Sequence, residues 1–390
     1  MAYPREPGAL ASEIRALRPA GADAPGSMWP EDAVPVPDYP LSQGAQREQK
    51  IARFLLGRAR EMLRLRRMRP IERHGRKLDP QMQLLLALRA QQGQTNLLLG
   101  DSPAQARVQV RMGTLRFAQA EPAMASVHEF RIPGPGGSLR VRHYVPHAAS
   151  EANSPLPLMV FLHGGGFTVC DLDTHDQPCR TIADRARVQV LSVDYRLSPE
   201  HPYPAPVEDA RAAFAWAAEH AGMLGADPKR VGVAGDSAGG NLATVTALMA
   251  LREGGPVPHV QFLIYPVVDA DWTRPSRVEL SRDFGLTLKD MEWSTQNYTA
   301  FDEALQADPA VVPIRAKSLA GMPRAVILTA GFDPLRDEGN DYAQVLRAAG
   351  TDVLHFEAEG MVHGFINMAS VSTSARDALQ QGCDQLAALL

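Results

Sequence analysis

Ser237, Asp333 and His363 lie far apart in the chain, yet each follows a short apolar run at a turn carrying glycine or proline. The serine sits in Val231-Gly-Val-Ala-Gly-Asp-Ser237-Ala-Gly-Gly-Asn241, where a strand-like run ends in Gly235-x-Ser237-x-Gly239 and helix-compatible Leu242 to Arg252 follows. A serine on so sharp a strand-to-helix turn is lifted above the sheet edge. Flanking glycines remove the β-carbons that would clash there. Such a hydroxyl is a candidate nucleophile, and it needs a base, a group that orients the base, and donors for an oxyanion.

His363, in Gly360-Met-Val-His363-Gly-Phe365, is the candidate base, because its loop follows a strand and carries glycines to bend it. Asp333, in Gly331-Phe-Asp333-Pro-Leu-Arg-Asp337, is the candidate orienting carboxylate. The 30 residues from Asp333 to His363 accommodate one helix and one strand, so both side chains can emerge at one sheet edge. Asp337 competes for the role, but its place at the start of the next helix suits N-terminal capping. The donors fall to His163-Gly164-Gly165-Gly166, directly after the strand run Leu158 to Leu162. Consecutive glycines let backbone N–H groups turn inward, and no Lys-Ser/Thr follows to make a phosphate loop. The expected donors are the N–H groups of Gly165, Gly166 and Ala238, with His163 bracing the loop.

The positioning elements are legible in the apolar periodicity. From about residue 125 strands and helices alternate, beginning with a hairpin of 127–132 and 139–145. Strands at 158–162, 188–194, 231–234, 259–265, 325–329 and 353–357 follow, with helices at about 206–221, 242–252, 338–349 and 373–389. This alternation predicts a mainly parallel sheet with helices on both faces, and a ligand beyond the carboxyl ends of its strands. Residues 272–315 interrupt it as a partly helical insertion, a candidate lid. Upstream, residues 1–47 read as an irregular arm, 46–69 as one helix ended by Pro70, and 80–92 and 102–114 as two more.

Composition narrows the function classes. The 390 residues carry a net charge of −4, with 45% apolar and 22% charged side chains, which gives no support for a nucleic-acid partner. No apolar run is long enough to cross a bilayer, and the start lacks a secretory pattern. The three cysteines, Cys170, Cys179 and Cys383, have no paired spacing, so a cytoplasmic protein without disulfides or a metal site is expected. Between Ile51 and Lys77 ten Arg/Lys face only Glu61 and Glu72, read as a solvated helix face over a membrane-surface contact.

His163-Gly-Gly-Gly-Phe, Asp194-Tyr-Arg-Leu-Ser-Pro-Glu-His-Pro-Tyr-Pro-Ala205, Gly235-Asp-Ser-Ala-Gly-Gly-Asn, Asp333-Pro-Leu-Arg-Asp-Glu-Gly and His363-Gly-Phe occur in that order. Together they closely resemble the hormone-sensitive-lipase-like (bacterial family IV) carboxylesterases, in the subgroup marked by Asp236 before the serine. The resemblance covers roughly residues 78–390. It implies an α/β-hydrolase fold with an eight-stranded sheet, a helical cap, no cofactor, and a homodimer through the last strand and helix. It also implies hydrolysis of short- to medium-chain esters of small alcohols; the lack of a long apolar run, separately, leads to the expectation of no stable membrane insertion. Gly164, Asp236 and Glu200 are expected to support the catalytic loops.

The implied domains are an N-terminal extension at 1–77, cap helices at 78–120, and a catalytic domain at 121–390 with its insertion at about 272–315. The extension lies outside the family pattern; its helix is expected to add to the cap and narrow the substrate entrance. Phe167, Trp272, Phe284, Trp293 and Tyr298 are the expected pocket liners. An amidase with the same triad, a non-catalytic small-molecule binder, and a lipase recruited to membranes by the basic helix remain as alternatives.

Overall fold

The computed structural model describes residues 30, 32–36, 43–97, 102–118, 120–152 and 154–390. The chain enters through a two-residue strand β1 (Val34–Pro35), then helices α1 (Gln43–Gly57) and α2 (Ala59–Leu65). A small hairpin of β2 (Glu72–Arg73) and β3 (Arg76–Lys77) leads to helices α3 (Pro80–Gln91) and α4 (Pro103–Leu115). Both of these start on a capping side chain: Asp79 accepts from Gln81 and Met82 N–H, and Ser102 accepts from Gln105 N–H.

The hairpin β4 (Ser126–Gly134) and β5 (Gly137–Val145) opens the large sheet, followed by a short turn of helix α5 (Ala148–Glu151). Then come β6 (Leu156–Leu162), α6 (Asp176–Arg185), β7 (Gln189–Asp194), α7 (Ala205–His220), β8 (Ala226–Asp236), α8 (Ala238–Glu253) and β9 (Val260–Ile264). The insertion holds α9 (Pro275–Leu280), α10 (Leu288–Thr299) and α11 (Glu303–Ala307). The chain finishes with β10 (Arg324–Phe332), α12 (Arg336–Ala348), β11 (Val353–Val362) and α13 (Thr373–Leu389).

The sheet order is β1-β4-β5-β7-β6-β8-β9-β10-β11, antiparallel at its beginning and parallel from β7 onward. Every residue of β6 is buried, as a parallel strand covered on both faces requires. Its alternate side chains feed two cores. Leu158, Val160 and Leu162 join the cluster that includes Phe214 of α7 and Leu242 of α8, while Met159 and Phe161 join that of Ile182 in α6 and Leu379 in α13.

Three expectations about the front of the chain need correction. Among the described residues the sheet has nine strands instead of eight, because Val34 and Pro35 pair antiparallel with Glu129 and His128 of β4. A proline is tolerated at such an edge, which is why a Pro-rich composition hid the strand. The arm read at 1–47 otherwise falls partly outside the described residues, and its last five belong to α1. The single helix read at 46–69 is broken at Gly57-Arg58 and ends at Leu65. Glycine costs a helix interior about 1 kcal/mol, and the break lets both pieces bury their stripes: Leu56, Ala59 and Leu63 pack with Leu84 and Val371.

Candidate active site

Four turns at the carboxyl ends of parallel strands build the site. Ser237 follows β8 with φ 54° and ψ −118°, a left-handed conformation that non-glycine residues adopt at a cost of about 1–3 kcal/mol. The turn is possible because its neighbours lack side chains: a β-carbon on Gly239 would stand 1.9 Å from the Leu162 carbonyl oxygen. Helix α8 then begins at Ala238, whose N–H is among the unsatisfied donors of its first turn.

His363 follows β11, and Asp333 follows β10. His363 Nδ1 donates to Asp333 Oδ2 at 2.7 Å. With that nitrogen protonated, Nε2 is the acceptor for the Ser237 hydroxyl at 2.9 Å. The second oxygen of Asp333 accepts the Leu335 N–H at 2.8 Å, which fixes the carboxylate's plane. All three are buried, Asp333 completely. Burial works against protonation of His363, yet the adjoining Asp333 carboxylate overcomes it and raises the imidazole above its ordinary pKa. Asp337 plays another part: it accepts the Ser276 N–H at 2.8 Å and pairs with Arg336, tying α12 to the insertion.

The glycine turn after β6 carries Gly165 at φ 115° and Gly166 at φ 58°, backbone angles that suit glycine. Gly165 and Gly166 line one cavity with Ser237 and His363. His163 stays in the wall: its Nδ1 donates to the Gly164 carbonyl at 2.8 Å, and its ring stacks on Tyr195 with centroids 4.3 Å apart. Burial, then the neighbouring His175, hold its pKa low. Asp236 Oδ1 accepts the Gly164 N–H at 2.7 Å and stands 3.2 Å from His175 Nε2. Burial would raise the Asp236 carboxyl; His175 and the Gly164 N–H more than offset that and keep it below its ordinary value.

Glu200 stands outside the cavity and pairs with Arg107 of α4, which lowers its carboxyl to about 2. The same guanidinium donates to the Thr168 and Ser198 carbonyls, each at 2.8 Å. Arg107 therefore ties an N-terminal helix to the loop after the glycine turn. No sequence spacing pointed to Arg107 or to His175, because their partners are 93 and 61 residues away. Glu338 was equally hidden. It is fully buried, accepts the Val268 N–H at 2.9 Å and the Asp269 N–H at 3.2 Å, and pairs with Arg277 of α9 at 2.6 Å.

The cavity has a volume of about 880 Å³. Phe167, Trp272 and Tyr298 line it as expected, Phe167 stacking on Tyr298 at 3.8 Å. Phe284 and Trp293 do not belong to its lining, and Phe284 packs instead on Phe332 with centroids 5.2 Å apart.

The profile of a family described as alpha/beta hydrolase fold matches residues 159–367, more than half of the chain. The chain belongs to the α/β-hydrolase family. Within it, the chain is similar to the carboxylic ester hydrolase LipN of Mycobacterium tuberculosis, 45% identical over 300 residues covering 75% of this chain and 78% of LipN. An ethyl acetate hydrolase of Pseudomonas putida is 38% identical over 63% of this chain and 76% of its own. Among solved structures, an ester hydrolase from the metagenome of Lake Arreo, complexed with a bipyridine phosphonate derivative, superposes with a TM-score of 0.75. It is 36% identical, and 98% of its length covers 80% of this chain, so part of this α/β hydrolase has no counterpart there. The resemblance to hormone-sensitive-lipase-like carboxylesterases is borne out.

Proposed function

We propose that this α/β hydrolase is a serine carboxylesterase that cleaves short- to medium-chain carboxylic esters through an acyl-enzyme. The observation that carries the reading is the hydrogen-bonded chain Asp333–His363–Ser237 on the wall of a largely apolar cavity. Esterase relatives at 38–45% identity support the same reaction class.

In this reading His363 Nε2 takes the Ser237 proton as Oγ attacks the ester carbonyl carbon. The tetrahedral oxyanion is held by the N–H groups of Gly165, Gly166 and Ala238, pre-aimed donors of the kind that lower such barriers most. Asp333 keeps the imidazolium oriented and stabilised. His363 then protonates the departing alkoxide, leaving the acyl group on Ser237. A water deprotonated by His363 repeats the attack, and the carboxylic acid leaves. Gly164, Asp236, His163 and Glu200 hold the loops that carry these groups.

The reading extends to organisation. Residues 1–77 form an extension, 78–120 the N-terminal cap, and 121–390 the catalytic domain with its cap insertion at about 272–315. Strand β11 pairs only with β10 in the sheet among the described residues, which leaves an edge suited to a homodimer. The unpaired state of all three cysteines fits a cytoplasmic location, and no helix among the described residues is long and apolar enough to cross a membrane.

Ser237→Ala should abolish hydrolysis of p-nitrophenyl acetate with the fold intact by circular dichroism; activity near the parent level defeats the reading. An amidase with the same triad is separated by matched ester and anilide substrates, where the ester should turn over faster. Loss of the ester preference would favour the amidase.

A further inference from the structure

We propose that helix α1, from the extension outside the family pattern, is the specificity-determining wall of the cavity and receives a medium-length apolar arm of the ester. The proposal rests on the esterase reading and names the substrate class of that site. Glu48, Ile51, Ala52, Leu55 and Leu56 all line the cavity that holds Ser237 and His363. Their spacing of three, one, three and one puts them on one helix face, so α1 meets the cavity along two turns.

The helix is fixed there. Gln49 Nε2 donates to the Phe117 carbonyl at 2.8 Å, and Arg53 Nε donates to the Ser370 carbonyl at 2.7 Å. Glu48 forms an ion pair with Arg116 at the same wall. Leu56 is only 2% exposed and packs in the cluster with Leu84 and Val371. Ser370 lies seven residues beyond His363, so α1 is tied to the segment that follows the candidate base.

Size and chemistry define what this wall receives. At about 880 Å³ the cavity falls in the upper part of the usual range for enclosed ligands, about 300–1,000 Å³, and an acetyl group leaves most of it empty. Below Glu48 the wall of α1 is carbon, continued by Leu85 and Leu88 of α3 and Phe117 beyond α4. It therefore recognises by burial, and each methylene withdrawn from water is worth about fourfold in binding.

The test is a kcat/KM series on p-nitrophenyl esters from acetate to palmitate, run on the full chain and on paired variants. The parent should favour octanoate over acetate. Ala52→Trp fills the wall and should lower the octanoate-to-acetate ratio at least tenfold, moving the optimum to shorter chains. Leu55→Ala empties it and should move the optimum to longer ones. Phe54→Ala, on the exposed outer face of the same helix, should leave the profile where it was. General damage to the fold would move Ala52→Trp and Leu55→Ala the same way, whereas the proposal requires opposite directions. A ratio within twofold of the parent in both cavity variants, or an optimum at acetate in the parent, overturns it. Failure of the esterase reading looks different: no ester of the series is cleaved, or Ser237→Ala cleaves them as well as the parent.

Discussion

The carboxylate of Asp236, one residue before Ser237, accepts the backbone N–H of Gly164 at 2.7 Å. A side chain on the β8 turn thereby sets the backbone of the β6 turn, so the proposed nucleophile and the proposed oxyanion donors are positioned by one buried contact. His175 at 3.2 Å keeps that carboxylate anionic from the other side. Asp236→Ala should cost about 10²–10³ in kcat, the scale of losing one oxyanion donor, with a much smaller change in KM. Steady-state kinetics on p-nitrophenyl acetate checks this; a pure KM effect would show that the contact serves binding alone.

The Asp333 carboxylate raises the pKa of His363, and the sign of the pH effect follows. In the proposed mechanism His363 must be neutral to act as base, so kcat/KM should rise with pH through a midpoint above the ordinary histidine value of about 6.5. Asp333→Asn removes the charge that favours imidazolium. Its acid limb should move to lower pH, while kcat falls by about 10⁴. A pH–rate profile of both proteins decides; an unmoved limb would separate Asp333 from the titrating group.

Arg277, which lines the cavity, and Glu338 join the insertion to α12, both almost wholly inaccessible to solvent. Arg277→Leu leaves the Glu338 carboxylate buried without its cation. Breaking such a pair from one side costs about 3–5 kcal/mol. Burial already raises the Glu338 pKa in the parent, so its stabilising contribution declines as pH climbs from the unfolded value toward the folded one. Without Arg277 that window extends upward, and the variant should be more destabilised at pH 8 than at pH 5. Urea denaturation at the two pH values measures the difference.

What could be read from the sequence follows from how local each constraint is. Ser237, Gly165 and Gly239 stood out because a strained turn admits few residue types, and the turn lies within the motif itself. Strand β6 was legible because burial on both faces demands an uninterrupted apolar run, here Leu158 to Leu162. By contrast, Asp236 with His175, Arg107 with Glu200, and Arg277 with Glu338 are contacts between residues 61 or more positions apart. Nothing near any of them in the chain encodes the partner. Phe167 and Phe284 show the same limit: both are aromatic residues near the cap, and only packing decided that Phe167 faces the cavity while Phe284 faces Phe332. The apolar stripe of α1 was visible, but its break at Gly57 and its seat on the cavity wall depended on Leu84, Phe117 and Ser370.

The hydrogen bond from Ser237 to His363 is the centre of the account, and a phosphorylating reagent tests it most directly. The full-length protein is treated with diethyl p-nitrophenyl phosphate, digested, and the adduct located by mass spectrometry. One diethylphosphoryl group per chain on Ser237, lost in Ser237→Ala and formed far more slowly in His363→Ala, is the expected result. An adduct on another residue, or hydrolysis surviving full modification, would contradict it.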